Sequence, residues 1–195
     1  MLASMKTAIL IHGWPSKEEY FDPIGPSPSN RHWFPWTQHN LIINGILVQT
    51  PEMLDAWEPR YEKWRKVFEQ FSINEEIILV GHSCGAGFLV RWLSENKVKV
   101  GRLILVAPWI DTDHDERDEV GDFFDFEIDP DLVSRTNGTT IFISNDDDKP
   151  IQRSVEVLEQ TIKNIYVKRF EDKGHFVIGD MGTEEFPELL EEILK

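Results

Sequence analysis

The chain has 195 residues, 41% of them hydrophobic and 28% charged, so it is long enough to bury a core and is neither disordered nor fibrous in composition. Its formal net charge of −15 argues against nucleic acid and anionic membrane surfaces as partners. The only cysteine, Cys84, excludes an intramolecular disulfide, and no apolar stretch approaches the roughly 20 residues that span a bilayer.

The first ten residues lack the long apolar region and small-residue cleavage site of a signal peptide. No internal repeat and no interdomain linker is visible along the chain. The sequence therefore predicts one domain over residues 1–195 and a cytoplasmic location.

Short apolar runs predict strands at residues 7–11, 46–48, 77–80, 103–106 and 139–144, with a more mixed sixth strand at 165–170. Apolar residues spaced by three and four predict helices within 57–71, 88–93, 155–162 and 186–194. Strands that alternate with helices favour βαβ units. The predicted fold is a three-layer α/β/α sandwich with about six mostly parallel strands.

Residues 15–36, rich in Pro, Ser, Trp and His, and residues 111–131, rich in Asp and Glu, fit this alternation poorly. Both follow strands, so both should emerge at the carboxyl edge of the sheet, where ligands bind in open α/β folds. Either segment could act as a lid. The aromatic residues Trp33, Phe34 and Trp36 could line an acyl or aryl pocket or simply cover the sheet.

The segment Gly81-His-Ser-Cys-Gly85 follows a predicted strand and precedes a predicted helix. It matches G-x-S-x-G, in which a serine sits on a strained turn with its hydroxyl exposed. Flanking glycines remove the Cβ atoms that would clash there, and the helix start favours a developing negative charge. Because this context supports the short motif, Ser83 is the predicted nucleophile.

A serine nucleophile needs a base, and the base needs an orienting carboxylate, in the chain order Ser, Asp or Glu, His. Downstream of Ser83 the histidines are His114, in an acidic stretch, and His175, between the last strand and the last helix. His175 has the position expected for the base. The acid should follow the fifth strand, where residues 146–148 are three aspartates among which the residues alone do not choose.

Two backbone N–H groups are needed to hold the oxyanion. One should belong to Cys84, the residue after the nucleophile, and the other to Trp14, in the turn after the first strand. His12 and His82 each precede a tight turn and are interpreted as flanking structural residues. Three alternating aspartates at residues 111–115 resemble the start of a calcium loop, but the required glycine is replaced by Glu116. No metal or cofactor is therefore expected.

Together these segments resemble the small serine hydrolases of the retinoblastoma-binding protein 9-like family, α/β-hydrolases without a separate cap domain. The similarity is clearest in residues 81–85, 144–151 and 173–176. The family pattern has a serine, two aspartates and then an apolar-proline pair, and it implies a triad of Ser83, Asp147 and His175. Here Pro150-Ile151 inverts the apolar-proline order, which leaves Asp148 as a second choice.

The sequence thus predicts a serine hydrolase, most simply a carboxylesterase that takes a small-molecule acyl substrate. The alternatives are a catalytically weak protein-binding module on a hydrolase scaffold, which leaves room for a protein partner, and a peptidase or thioesterase with the same triad. The natural substrate and the oligomeric state stay open.

Overall fold

A computed structural model describes residues 6–110 and 120–195. In these ranges six parallel strands form one sheet in the order β2-β1-β3-β4-β5-β6. The strands are β1 (Thr7–Ile11), β2 (Leu47–Gln49), β3 (Ile78–His82), β4 (Arg102–Val106), β5 (Thr139–Ser144) and β6 (Tyr166–Phe170).

The register of the sheet aligns apolar residues of neighbouring strands. Leu79 of β3 is paired with Ile9 of β1 and with Leu103 of β4, and Leu105 of β4 is paired with Ile141 of β5. Every residue of β3 and β5 is buried, whereas the edge strand β6 is partly exposed. Continuous apolar runs in the central strands are what a parallel sheet covered on both faces requires.

The helices between and after the strands are α1 (Lys17–Tyr20), α2 (Phe34–Ile43), α3 (Tyr61–Phe68), α4 (Cys84–Asn96), α5 (Lys149–Thr161), α6 (Ile178–Met181) and α7 (Pro187–Leu194). Short 3₁₀ turns lie at Pro28–Asn30 and Leu132–Arg135. Proline occupies the first turn of α2, α5 and α7, where its missing N–H costs no hydrogen bond.

Two groups of aromatic side chains pack the helices, one between α3 and α4 and one against the sheet. Trp64 and Phe68 of α3 contact Phe88 of α4 with ring centroids 5.9 and 5.4 Å apart. In the second group, Phe186, just before α7, lies 5.9 Å from Trp33 and 5.7 Å from Phe142 of β5. These contacts bury the apolar faces of α3, α4 and α7.

The structure confirms the predicted three-layer α/β/α architecture of parallel strands and flanking helices, and the described residues contain no separate cap domain. Two details differ. The helix predicted within 57–71 is shorter, because Trp57 precedes Pro59 and Phe71 follows the end of α3. Residues 15–36, which fit the predicted alternation of strands and helices poorly, include α1 and a 3₁₀ turn and lead into α2, a helix that the sequence did not predict.

The acidic residues 111–119, including His114 and the calcium-like pattern, lie outside the described residues. Residues 120–126 of the same segment are packed against the core: Phe123 lies 5.0 Å from Trp64, and Arg91 donates to the carbonyls of Asp122 and Phe123. None of the helices described is long and apolar enough to cross a membrane.

Candidate active site

Ser83 lies between the end of β3 and the first residue of α4, on a backbone of φ 54° and ψ −121°. Such a conformation is rare for a residue with a side chain and persists only where the surroundings enforce it. Its N–H donates to the carbonyl of Val106 at 2.9 Å, and its carbonyl accepts from Ala86 at 3.0 Å and from Trp109 at 3.2 Å. The predicted strand–turn–helix context of Ser83 is therefore present.

The glycines near Ser83 are explained by the space around them. A Cβ at Gly81 would lie 2.5 Å from the Cα of Ala86, where the chain turns into α4. A Cβ at Gly13, after β1, would lie 3.0 Å from the Cβ of Ser83 and 3.6 Å from its Oγ. A side chain at Gly13 would therefore crowd Ser83, and glycine allows the loop after β1 to pass close to the serine.

Of the three adjacent aspartates, Asp147 is the one that faces His175. Its Oδ1 and Oδ2 lie 3.0 and 3.1 Å from Nδ1 of the imidazole, and its side chain is only 1% exposed. The same Oδ1 accepts the N–H of Asp148 at 2.7 Å. With Nδ1 donating to this carboxylate, the other ring nitrogen of His175 is left for a second partner.

Asp146 holds the loop before His175. Its Oδ1 accepts the N–H of Gly174 at 3.0 Å and the hydroxyl of Ser144 at 2.5 Å, and that hydroxyl accepts the N–H of Lys173 at 3.0 Å. The hydrogen bond from Ser144 is the main reason that the pKa of the Asp146 carboxyl lies below its usual value. Asp148 is exposed and stands at the N-cap position of α5.

The backbone of His175 is fixed on both sides. Its N–H donates to Asp180 at 2.7 Å, and its carbonyl accepts from Nε2 of His82 at 2.8 Å. The rings of His82 and His175 lie 5.0 Å apart. His82 therefore links the turn that carries Ser83 directly to the loop that carries His175.

His12 and His82 are buried, and burial disfavours their charged forms. Burial lowers the pKa of His82 well below its usual range, and the neighbouring His175 lowers it further. Burial is also the largest cause of the lowered pKa of His12. His12 donates from Nδ1 to the Gly13 carbonyl at 2.7 Å and accepts the N–H of Met53 at Nε2 at 3.0 Å, which fits a structural role.

Of the two residues predicted to supply oxyanion donors, Cys84 directly follows Ser83 and Trp14 belongs to the loop after β1. Cys84 is the first residue of α4, so its N–H belongs to the first turn, whose amides have no acceptor within the helix. Its thiol is buried, and burial raises the thiol pKa well above its usual value, so the sulfur is inert. Trp14 follows Gly13, whose position allows the loop after β1 to approach Ser83 closely.

Two cavities border both Ser83 and His175. The first, which we call the aromatic cleft, has a volume of about 160 Å³ and is lined by Trp14, Trp109, Asp148, Pro150 and Ile151. The indole rings of Trp14 and Trp109 stack with centroids 5.3 Å apart and planes 6° from parallel. The stacked indoles thus contribute apolar aromatic surface to the cleft.

The second, which we call the histidine cavity, has a volume of about 220 Å³ and is lined by His12, His32, His82, Glu19, Arg31 and Phe34, among others. His32, Glu19 and Arg31 come from residues 15–36, so this segment does border the site. Phe34 lines the cavity, whereas Trp33 is buried against Phe34 and His82. Among the described residues, no group of three or more His, Cys, Asp or Glu side chains could hold a metal ion.

The sequence interpretation did not identify His32 and Trp109 as site residues. Trp109 follows β4 and His32 follows a proline-rich stretch, and neither belongs to a motif of fixed spacing. Their position after a strand or within a long loop at the carboxyl edge was the one available signal.

The fold is shared with several solved structures. The YdeN gene product of Bacillus subtilis superposes with a TM-score of 0.79 at 22% identity over 97% of each chain. Est1E from Butyrivibrio proteoclasticus has a TM-score of 0.65 at 14% identity, covering 98% of this chain and 90% of that one. The esterase EaEST from Exiguobacterium antarcticum has a TM-score of 0.65 at 16% identity, covering 98% and 91%.

In sequence, the chain is similar to the YdeN protein of Bacillus subtilis (strain 168), with 28% identity over 106 residues. This match spans 52% of the chain and about half of the relative's length, 50%. The sequence pattern of the family described as serine hydrolase matches residues 23–194, which include the turn at Ser83 and the loops at Asp147 and His175. Because this match covers far more than half of the chain, the chain belongs to the serine hydrolase family.

Proposed function

We propose that the protein is a carboxylesterase that cleaves small or medium acyl esters through an acyl-enzyme on Ser83. The observation that carries this proposal is the Asp147–His175 pair, at 3.0 Å, beside a serine on a strained strand-to-helix turn. A nucleophile, an orienting acid and a base, in this order along the chain, form the constellation that activates a serine hydroxyl.

In the proposed reaction, Nε2 of His175 takes the proton of the Ser83 hydroxyl as Oγ attacks the ester carbonyl carbon. Asp147 stabilises the imidazolium that forms and keeps the ring oriented through Nδ1. The N–H groups of Cys84 and Trp14 hold the oxyanion, a contribution worth about 3–4 kcal/mol for each donor. His175 then gives its proton to the departing alcohol.

The second half of the reaction releases the acid. His175 takes a proton from water, the resulting hydroxide attacks the acyl carbon, and the proton returns to Oγ of Ser83 as the ester bond to the enzyme breaks. The aromatic cleft fits an apolar ester group, because the stacked rings of Trp14 and Trp109 line it beside both Ser83 and His175. By analogy at the level of fold, EaEST is an esterase on the same scaffold.

Within the serine hydrolase family, we place the chain with the members similar to retinoblastoma-binding protein 9. The support is in the motif residues 81–85, 144–151 and 173–176. The position of Asp147 against His175 agrees with the acid that this resemblance implies.

A fluorophosphonate probe and p-nitrophenyl esters test the proposed nucleophile. Wild-type protein should be labelled at Ser83, and Ser83→Ala should lose the label and at least about 10³-fold in kcat. Ser72→Ala is the matched control, since Ser72 is exposed at the opposite edge of the sheet. Absence of labelling in folded wild-type protein would contradict the proposal.

The substrate class is tested separately, with one acyl group presented as an ester, a thioester and an amide. The ester should give the highest kcat/KM. A higher value for the thioester or the amide would replace the carboxylesterase assignment with a thioesterase or a peptidase.

A further inference from the structure

His32 lies in the histidine cavity in an unusual conformation. Its backbone has φ 56°, and its ring lines the same cavity as Ser83 and His175. Non-glycine residues at positive φ carry a conformational cost, and they cluster at binding and catalytic sites. The surrounding structure therefore holds His32 in a backbone conformation that a histidine does not prefer.

The proton of the His32 ring can be assigned from its hydrogen bond. Nδ1 accepts the N–H of Ile178 at 3.2 Å, so in the neutral imidazole the proton is on Nε2. Burial is the largest cause of a lowered pKa for His32, which favours this neutral form. Nε2 has no hydrogen-bond partner among the residues that the structure describes.

Among the other donors of the cavity, Arg31, His12 and His82 already donate to protein groups. The Arg31 guanidinium donates to the Glu19 carboxylate at 2.9 Å and to the carbonyls of Glu19 and Pro26 at 3.0 and 2.8 Å. Both ring nitrogens of His12 have protein partners, and Nε2 of His82 is bound to the His175 carbonyl. Within the described part of the cavity, His32 is thus the histidine with a donor left over.

The segment that carries His32 is well anchored. The hydrogen bonds of Arg31 tie its two ends together, and the N–H of Ser29 donates to Glu52, beyond β2, at 3.1 Å. A donor on an anchored segment keeps its direction, so it can discriminate between substrates rather than adapt to each of them.

We propose that His32 is a specificity-determining residue, whose Nε2–H donates to an oxygen acceptor of the substrate in the histidine cavity. The preferred esters would carry a carbonyl, ether or hydroxyl oxygen on the arm that enters this cavity, while the other arm lies along the aromatic cleft. This inference rests on the proposed esterase function and names the substrate class of the same site.

The test uses matched ester pairs that differ by one oxygen acceptor. On the acyl side, p-nitrophenyl 4-oxopentanoate is compared with p-nitrophenyl pentanoate, and on the alcohol side, 2-methoxyethyl acetate is compared with butyl acetate. For each pair, the ratio of the two kcat/KM values is measured in wild type and variants. Intrinsic reactivity cancels when these ratios are compared between proteins.

His32→Phe keeps a ring and removes the donor, so it should lower the acceptor-to-apolar ratio roughly three- to tenfold in at least one pair, the value of one hydrogen bond. His32→Gln can place an amide N–H near the position of Nε2 and should stay within about twofold of wild type. His39→Phe, on the exposed side of α2, is the matched control and should leave both ratios unchanged.

Folding is checked by the thermal midpoint and by fluorophosphonate labelling. If His32→Phe does not fold, His32→Asn replaces it, because asparagine tolerates positive φ and is too short to reach the position of Nε2. Ratios equal to wild type in both pairs for the donor-free variant would overturn the role of His32 while leaving the esterase function intact. If labelled wild type hydrolysed none of the four esters, the esterase function and the subsite defined on its substrate would fail together.

Discussion

At the scale of single residues, the three consecutive aspartates after β5 show how neighbouring carboxylates acquire different environments. Asp147 is turned inward against His175, Asp146 collects donors from the loop before His175, and Asp148 stands exposed at the start of α5. The residue types are identical, so the difference comes from the turn that carries them. Composition and spacing therefore cannot predict which of the three aspartates faces His175.

We predict that Asp147→Asn lowers kcat/KM by about 10³–10⁴-fold, because an amide neither fixes the imidazole tautomer nor stabilises the imidazolium. Asp148→Asn is the matched comparison and should lower kcat/KM by less than about tenfold, since its carboxylate is exposed. The kcat/KM values of the two variants are compared by steady-state kinetics on one p-nitrophenyl ester. A larger loss for Asp148→Asn than for Asp147→Asn would make Asp148 the triad acid.

At the scale of elements, the strands were predicted to within a residue or two at most ends, because buried parallel strands are short apolar runs bounded by polar turns. The helix predicted within 57–71 was too long, because Trp57 and Phe71 fit its apolar spacing but lie outside the helical backbone of α3. Helix α2 went unpredicted, since Ile42 and Ile43 are exposed and blur its periodicity. Tertiary contacts override local patterns at these places.

The site was predictable only where a motif fixes residues at short range. The turn at Ser83 is such a motif, and the order of the partners narrows the base to His175. His32 and Trp109 lie 51 and 26 residues from Ser83 along the chain and come close to it only through the sheet topology. No pattern within either segment marks that approach.

The loop after β1 is predicted to control access to the nucleophile. Gly13→Ala would place a methyl group 3.0 Å from the Cβ of Ser83, so we expect kcat/KM to fall by about 10–100-fold with less than about 1 kcal/mol lost in the free energy of unfolding. Gly179→Ala, whose new Cβ would meet no atom within 4 Å beyond its chain neighbours and its own helix backbone, is the control and should keep wild-type activity. Activity assays and urea unfolding separate the two effects. Full activity in Gly13→Ala would show that the loop shifts to accommodate the methyl group, and it would contradict the predicted control of access to Ser83.

At the scale of the whole molecule, the carboxyl edge of the sheet gathers the site from segments far apart in the sequence. His12 follows β1, His82 ends β3 and His32 comes from the segment after α1, yet all three border one cavity. Burial is the largest cause of the lowered pKa of each of them. In the folded protein these three imidazoles are therefore harder to protonate than the same side chains in the unfolded chain.

This cluster predicts that the protein loses stability in mild acid. A histidine in the unfolded chain has a pKa of about 6.5. Below that pH the unfolded chain therefore binds protons that these histidines do not bind in the folded protein. The free energy of unfolding falls as the pH falls. Above pH 6.5 the stabilisation is fully present. The limiting slope is about 1.4 kcal/mol per pH unit for each histidine.

Urea unfolding at pH 7.5, 6.5 and 5.5 measures this loss. His82→Gln keeps a side-chain N–H for the His175 carbonyl but cannot take up a proton, so it should reduce the loss between pH 6.5 and 5.5 by about 1 kcal/mol. His39→Gln changes an exposed histidine and should leave the pH dependence as in wild type. Because carboxylates titrate mainly below pH 5, this window isolates the histidines. An equal loss in His82→Gln and wild type would show that His82 takes no part in the acid response.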